Sequence, residues 1–185
     1  MIDDIKQDAE HRMQSALDAL ERELTGIRTG RASPALVDRL QVEYYGTATP
    51  LNQLASISAP EPRMLVIQPW DRGSMGAIEK AIQKSELGLT PNNDGQMIRL
   101  AIPQLTEERR KSLVKMTKTK VEDGKVSIRN VRRDAVDQVK ELMKEKLIGE
   151  DDERRAHQEI DAVTKRFTEE ADRIGSSKEA EILEV

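Results

Sequence analysis

Apolar side chains open the chain at a helical rhythm. Ile2, Ile5, Ala9, Met13, Ala16, Leu17, Leu20, Leu24 and Ile27 recur mostly at steps of three and four, the spacing of one buried helical face. The rhythm predicts a first helix running to about Thr29. Gly30 and Pro34 stop it, because glycine leaves helical geometry readily and proline disfavours helix in the residue before it. The pattern then changes period. Leu40, Val42 and Tyr44 alternate with Arg39, Gln41 and Glu43, which gives a strand one apolar and one polar face. Further strands are expected around 54–59, 64–68 and 97–102, separated by 47–50, 60–62 and 91–95, where Gly and Pro punctuate the chain. Ile78, Ala81, Ile82 and Leu87 predict a short helix that Gly88 closes.

From Leu105 the helical period returns and persists. Val114, Thr117, Val121, Gly124, Ile128, Val131, Ala135, Val139 and Leu142 form a heptad-like seam in a helical stretch that runs about 60 Å from Leu105 at 1.5 Å per residue. A third long helix is expected after Gly149, with Asp151 and Asp152 at its start and Ala156, Ile160, Val163, Phe167, Ala171 and Ile174 as its stripe. No one of these helices can bury its stripe alone. The fold expected is therefore α+β: an up-down-up three-helix bundle from residues 1–29 and 105–185, with a small α+β module, 30–104, inserted after the first helix. The chain crosses between modules twice, near 30–34 and 103–105. Neither crossing is a long Gly/Ser linker, so Gly30, Pro34 and Pro103 are expected to form a restricted hinge.

Composition narrows the chemistry. Aromatics are only 2% of the chain, so its cores must be aliphatic and thin, which suits a bundle. The absence of Cys excludes disulfides, thiolate metal sites and thiol nucleophiles and fits a reducing compartment. No apolar run approaches the roughly 20 residues that span a bilayer, and the acidic start Met1-Ile2-Asp3-Asp4 does not resemble a signal peptide, so a cytoplasmic protein is expected. His11 and His157 stand in charged helical stretches without a nucleophile beside them, and acid pairs such as Asp151-Asp152 suit first helical turns better than metals. With no phosphate loop, dinucleotide fingerprint or zinc motif, the reading is a non-enzyme without metal or cofactor.

The net charge of −4 hides an asymmetry. Between Arg109 and Arg133 there are ten Lys or Arg and two acids, whereas from 148 to the end there are twelve acids and six bases. At 100° per residue from Ile128, Lys111, Lys118, Lys125 and Arg129 fall between about 60° and 100°, Arg132 near about 40° and Arg133 near about 140°. One stripe of bases thus runs beside the seam. Periodicity alone favours a solvated face paired with the acidic third helix; the arginines at 129, 132 and 133 add a second reading, because the guanidinium fork grips phosphate bidentately.

At these residues the sequence resembles the ribosome recycling factor family, essentially end to end. The motifs are I-R-T-G-R-A-S-P at 27–34, E-Y-Y-G-T-A-T-P-L at 43–51, I-E-K-A-I at 78–82, L-G-L-T-P-N at 87–92, L-T-E-E-R-R-K at 105–111 and R-N-V-R-R-D-A at 129–135. The resemblance implies an L-shaped, two-domain protein whose bundle binds rRNA. It implies a factor that occupies the large subunit of the 70S ribosome after termination and, with elongation factor G and that partner's GTP hydrolysis, splits the subunits. By motif, Arg129, Arg132 and Arg133 would contact rRNA, with Arg28 and Arg31 contributing and Lys118 and Lys125 extending the stripe. Departures from the family are few: Gly124 replaces a seam Ala at a cost of about 1 kcal/mol of helix propensity, and Gly73 loosens the start of the inserted helix. Two other classes stay open, a structural helical adaptor and the RNA-binding arm of a translation enzyme. A monomer is expected, since the three stripes can satisfy one another within one chain.

Overall fold

A computed structural model describes residues 1–184. The chain divides into two compact units, Met1–Thr29 with the chain from Thr106 onward, and Gly30–Leu105 between them. Leu105 thus belongs to the inserted unit, one residue beyond the expected boundary: the next helix begins only at Glu107, and Thr106 caps it by accepting from the Arg109 N–H.

The first unit holds three long helices, α1 (Ile2–Thr25), α3 (Glu107–Lys144) and α4 (Glu150–Leu183). Helix α1 ends four residues before the expected Thr29: the Gly26 N–H donates to Arg22 O and the Ile27 N–H to Leu24 O, which closes the last turn, and Ile27 is still buried. The stripes meet as expected: Met13, Leu17 and Leu20 of α1, Ile128, Val131 and Ala135 of α3, and Ile160, Phe167 and Ala171 of α4 are all buried. The α3 seam is displaced at its start, where Leu113 rather than Val114 is buried. Between α3 and α4 the chain reverses sharply. Lys146 adopts φ +60 and donates to Met143 O, while the Leu147 N–H reaches back to Leu142 O, a left-handed helix stop that lays α4 along α3. Gly149 caps α4, and Glu150, Asp151, Asp152 and Glu153 crowd its first turn.

Charges lock the three helices together. Arg12 reaches Asp134 at 2.9 Å, Lys120 reaches Glu23 at 3.2 Å and Lys6 reaches Glu159 at 2.8 Å. The Glu159 hydrogen bond holds the Lys6 ammonium above its ordinary pKa. Two glycines permit close helix approach: a methyl at Gly175 would lie 2.6 Å from Val121, and one at Gly124 would meet Leu20 at 3.4 Å.

The inserted unit contains β1 (Gln41–Tyr44), β2 (Thr47–Pro50), β3 (Ala55–Glu61), β4 (Met64–Pro69), α2 (Met75–Lys84), β5 (Pro91–Asn93) and β6 (Ile98–Ala101). β1 and β2 form a hairpin, and the other four make an antiparallel sheet in the order β3-β4-β6-β5. Leu65 faces Leu100 and Ile67 faces Ile98 across the β4–β6 ladder, and all four are fully buried with Ile78 and Ile82 of α2.

Segments expected as separators are strands here. Residues 47–50 form β2, because Tyr45 and Gly46 both adopt positive φ, 49° and 79°, and make the two-residue turn that matches strand twist. Pro60 and Pro91 sit in β3 and β5, both edge strands, where a missing N–H costs no ladder bond. Gly88 does not close α2, which ends at Lys84 with Ser85 as its cap. Nor does Gly73 loosen its start: Asp71 accepts from the Gly73 N–H at 2.9 Å and from the Tyr44 hydroxyl at 3.1 Å, which raises the Tyr44 pKa.

Candidate nucleic-acid interface

The bases of α3 and the acids of α4 face one another across an open groove of 620 Å³, lined by Lys125, Arg129, Arg132, Arg133, Asp161, Thr164, Lys165, Thr168 and Asp172. Helical spacing builds both walls. Residues 125, 129, 132 and 133 lie within little more than two turns of α3, while 161, 164, 165, 168 and 172 share one face of α4 at steps of three and four.

The cations differ in how they are held. Lys125 is tied down: its Nζ lies 2.6 Å from Asp172 and 3.7 Å from Glu122, and its side chain is only 16% exposed. Arg132 donates its Nε to Asp161 Oδ1 at 2.6 Å, which occupies one of its five N–H donors. Arg129 is half exposed and stands 4.0 Å from Glu122, too far for a hydrogen bond. Among the described residues, Arg133 and Lys118 make no ion pair, and both are exposed.

Four of the seven basic positions singled out in the sequence therefore come together. Lys118 lies one heptad before Lys125, about 10 Å along α3, outside the groove. Arg28 follows α1 in the first unit, and Arg31 belongs to the inserted unit. Sequence reading treated α4 as a partner of the stripe and missed that its own residues form a wall. The signal was present in the one-face spacing of Asp161, Thr164, Thr168 and Asp172.

At the crossings, Gly30 adopts φ +79 and would meet Leu105 at 3.0 Å if it carried a side chain. Pro34 opens a short 3₁₀ turn whose N–H at Ala35 bonds to Ser33 Oγ. Both crossing segments are anchored to one turn of the inserted unit: the Ala32 N–H donates to Pro62 O at 2.7 Å and the Ile102 N–H to Arg63 O at 2.8 Å. Among the described residues no helix is long and apolar enough to cross a membrane, and no cluster of three or more metal-ligating side chains is present.

Fold and groove together define a class: an α+β protein in which a three-helix bundle, carrying a cationic groove, is interrupted by an antiparallel-sheet unit. The chain belongs to the ribosome recycling factor family, whose model matches residues 20–183. It is 57% identical to the ribosome-recycling factor of Thermomicrobium roseum and 55% identical to that of Carboxydothermus hydrogenoformans, each over 100% of both chains. Among solved structures it is similar to a solution structure of the ribosome recycling factor, with TM-score 0.76 and 42% identity over 100% of this chain and 98% of that one. It is also similar to the T. thermophilus ribosome recycling factor in a structure that places it, with E. coli elongation factor G, on the E. coli post-termination complex. There the TM-score is 0.65, with 48% identity over the whole of both chains.

Proposed function

We propose that the chain binds the post-termination ribosome and, with elongation factor G and that partner's GTP hydrolysis, splits the subunits so that mRNA and tRNA are released. The observation that carries this reading is the groove of Arg129, Arg132 and Arg133 on a chain of this family. Guanidinium groups grip phosphate through paired N–H donors, and phosphate contacts dominate affinity for nucleic acid. The ligand is large-subunit rRNA, with Lys118 extending the surface along α3 and Arg28 and Arg31 adding charge beyond the groove. The chain is no enzyme: it needs neither cofactor nor metal, and it works as a cytoplasmic monomer.

Lys125 fits a different role. Its pairing with Asp172 of α4 and Glu122 of its own helix, and its low exposure, favour an α3–α4 lock over an RNA contact. The hinge is narrowed in the same way, because the bonds at Ala32 and Ile102 leave residues 29–31 and 103–105 as the pivot, with Gly30 and Pro103 inside it and Pro34 outside.

A subunit-splitting assay with elongation factor G and GTP tests the function. Splitting should require all three components, and a chain that leaves the splitting rate unchanged would sink the reading. For the interface, Arg132→Ala should reduce the slope of log affinity for vacant ribosomes against log salt by about 0.7 to 0.9. A lowered melting temperature with an unaltered slope would remove that contact.

A further inference from the structure

Asp161 is an acid in the middle of the cationic groove, and simple electrostatics makes it unfavourable there if the ligand is a polyanion. Its geometry gives it another role. Oδ1 accepts from Arg132 Nε at 2.6 Å, across the two helices. Oδ2 lies 3.3 Å from His157 Nδ1, one turn back on the same helix. The carboxylate is thus bonded through Oδ1 to the groove arginine, while Oδ2 lies beside a ring of its own helix. Engagement through Nε leaves the terminal edge of the guanidinium, with Nη1 and Nη2, as a fork for a ligand. An arginine whose stem is already fixed loses less rotamer entropy on binding than one that waves in solvent.

We infer that Asp161 is a positioning residue for the RNA interface: it holds Arg132 by Nε so that the terminal nitrogens are presented to phosphate. The inference rests on the proposed RNA-binding reading of Arg132. It makes a prediction of sign that charge alone does not, since removing a negative charge beside bound RNA should tighten binding, whereas removing a positioning group should weaken it.

The test is affinity for vacant 70S ribosomes, with melting temperature measured on the same preparations of Asp161→Ala, Asp161→Asn, Arg132→Ala and the Asp161→Ala/Arg132→Ala double variant. Asp161→Ala should bind about threefold to tenfold more weakly, in the lower part of the range of coupling between contacting groups. Asp161→Asn keeps a carbonyl oxygen for the Nε–H and loses the charge, so it should bind at least as tightly as the native chain. In the Arg132→Ala background, Asp161→Ala should produce no further loss. If Asp161→Ala binds as tightly as the native chain while Arg132→Ala still weakens binding, positioning is overturned and the RNA contact survives. Equal losses in the Ala and Asn variants would assign the effect to charge or folding and overturn it likewise. Unchanged affinity in Arg132→Ala would remove both the contact and the positioning built on it.

Discussion

The two units of this chain set their internal register by different means. In the bundle each helix satisfies its own backbone, so nothing in the main chain says how far one helix should slide along another. Side chains decide it: stripes of Met13, Ile128 and Ile160 meet in the core, and charges cross between helices from Lys6 to Glu159, Arg12 to Asp134, Lys120 to Glu23 and Lys125 to Asp172. In the inserted unit the strands set register through their own N–H and C=O groups, and the Arg99–Asp94 ion pair spans five residues of one connection between β5 and β6. Surface charge on the bundle therefore aligns the helices and, in the proposed function, also meets the ligand. A cation whose charged group is taken up by acids, as the Lys125 ammonium is by Asp172 and Glu122, has the first duty; one that keeps donors open, as Arg132 keeps its terminal nitrogens, is available for the second.

The largest effects test whether the units are energetically separate. Ile128→Ala and Leu65→Ala each remove a fully buried side chain, one from each unit, and should each cost about 2–5 kcal/mol. Trp70, Tyr44 and Tyr45 all lie in the inserted unit, so near-ultraviolet dichroism reports that unit while far-ultraviolet dichroism follows the helices. Each loss should appear in its own signal. Coincident shifts in both signals for either variant would mean a single cooperative body.

Next come the two glycines at helix contacts. Gly175→Ala drives a methyl to 2.6 Å from Val121 and should destabilise the bundle by about 1–3 kcal/mol. Gly124→Ala meets Leu20 at ordinary contact distance and should raise stability by up to about 1 kcal/mol through helix propensity. Denaturant midpoints distinguish them, and equal signs would show that helix spacing adjusts freely.

The division of charge predicts a smaller, paired effect. Lys125→Ala should lower stability by at most about 1 kcal/mol, as partly exposed ion pairs do, and leave the salt slope of ribosome binding unchanged. Arg133→Ala should leave the melting temperature unchanged and reduce that slope by about 0.7 to 0.9. Reversed outcomes would abolish the distinction between aligning and contacting cations.

The smallest effect belongs to the inserted unit. The backbone N–H groups of Gln96 and Met97, then Arg99, hold the Asp94 carboxyl at about 2, below its ordinary 3.8. Because the folded value is the lower one, the stabilisation is present above about pH 4 and is lost as pH falls toward 2. Asp94→Asn should flatten this unit's acid-side melting curve; an unchanged curve would assign acid sensitivity to the bundle.

Much of this protein was determined by local sequence. The steps of three and four through α1, α3 and α4 and the alternation in β1 specify which face is buried, because helical and extended backbones impose those periods regardless of partners. The family was legible in short motifs such as R-N-V-R-R-D-A, where the groove arginines cluster. Tertiary structure decided the rest. β2 and β5 exist because partner strands pair with them, although their sequences read as turns. The stripe of bases looked uniform on a helical wheel, and only the approach of α4 separated Lys125, partly buried against Asp172, from Arg133, which has no such partner among the described residues. How much of a cation stays open to a ligand depends on which of its donors an acid of a different helix takes up, and no local period encodes the position of an acid so far along the chain.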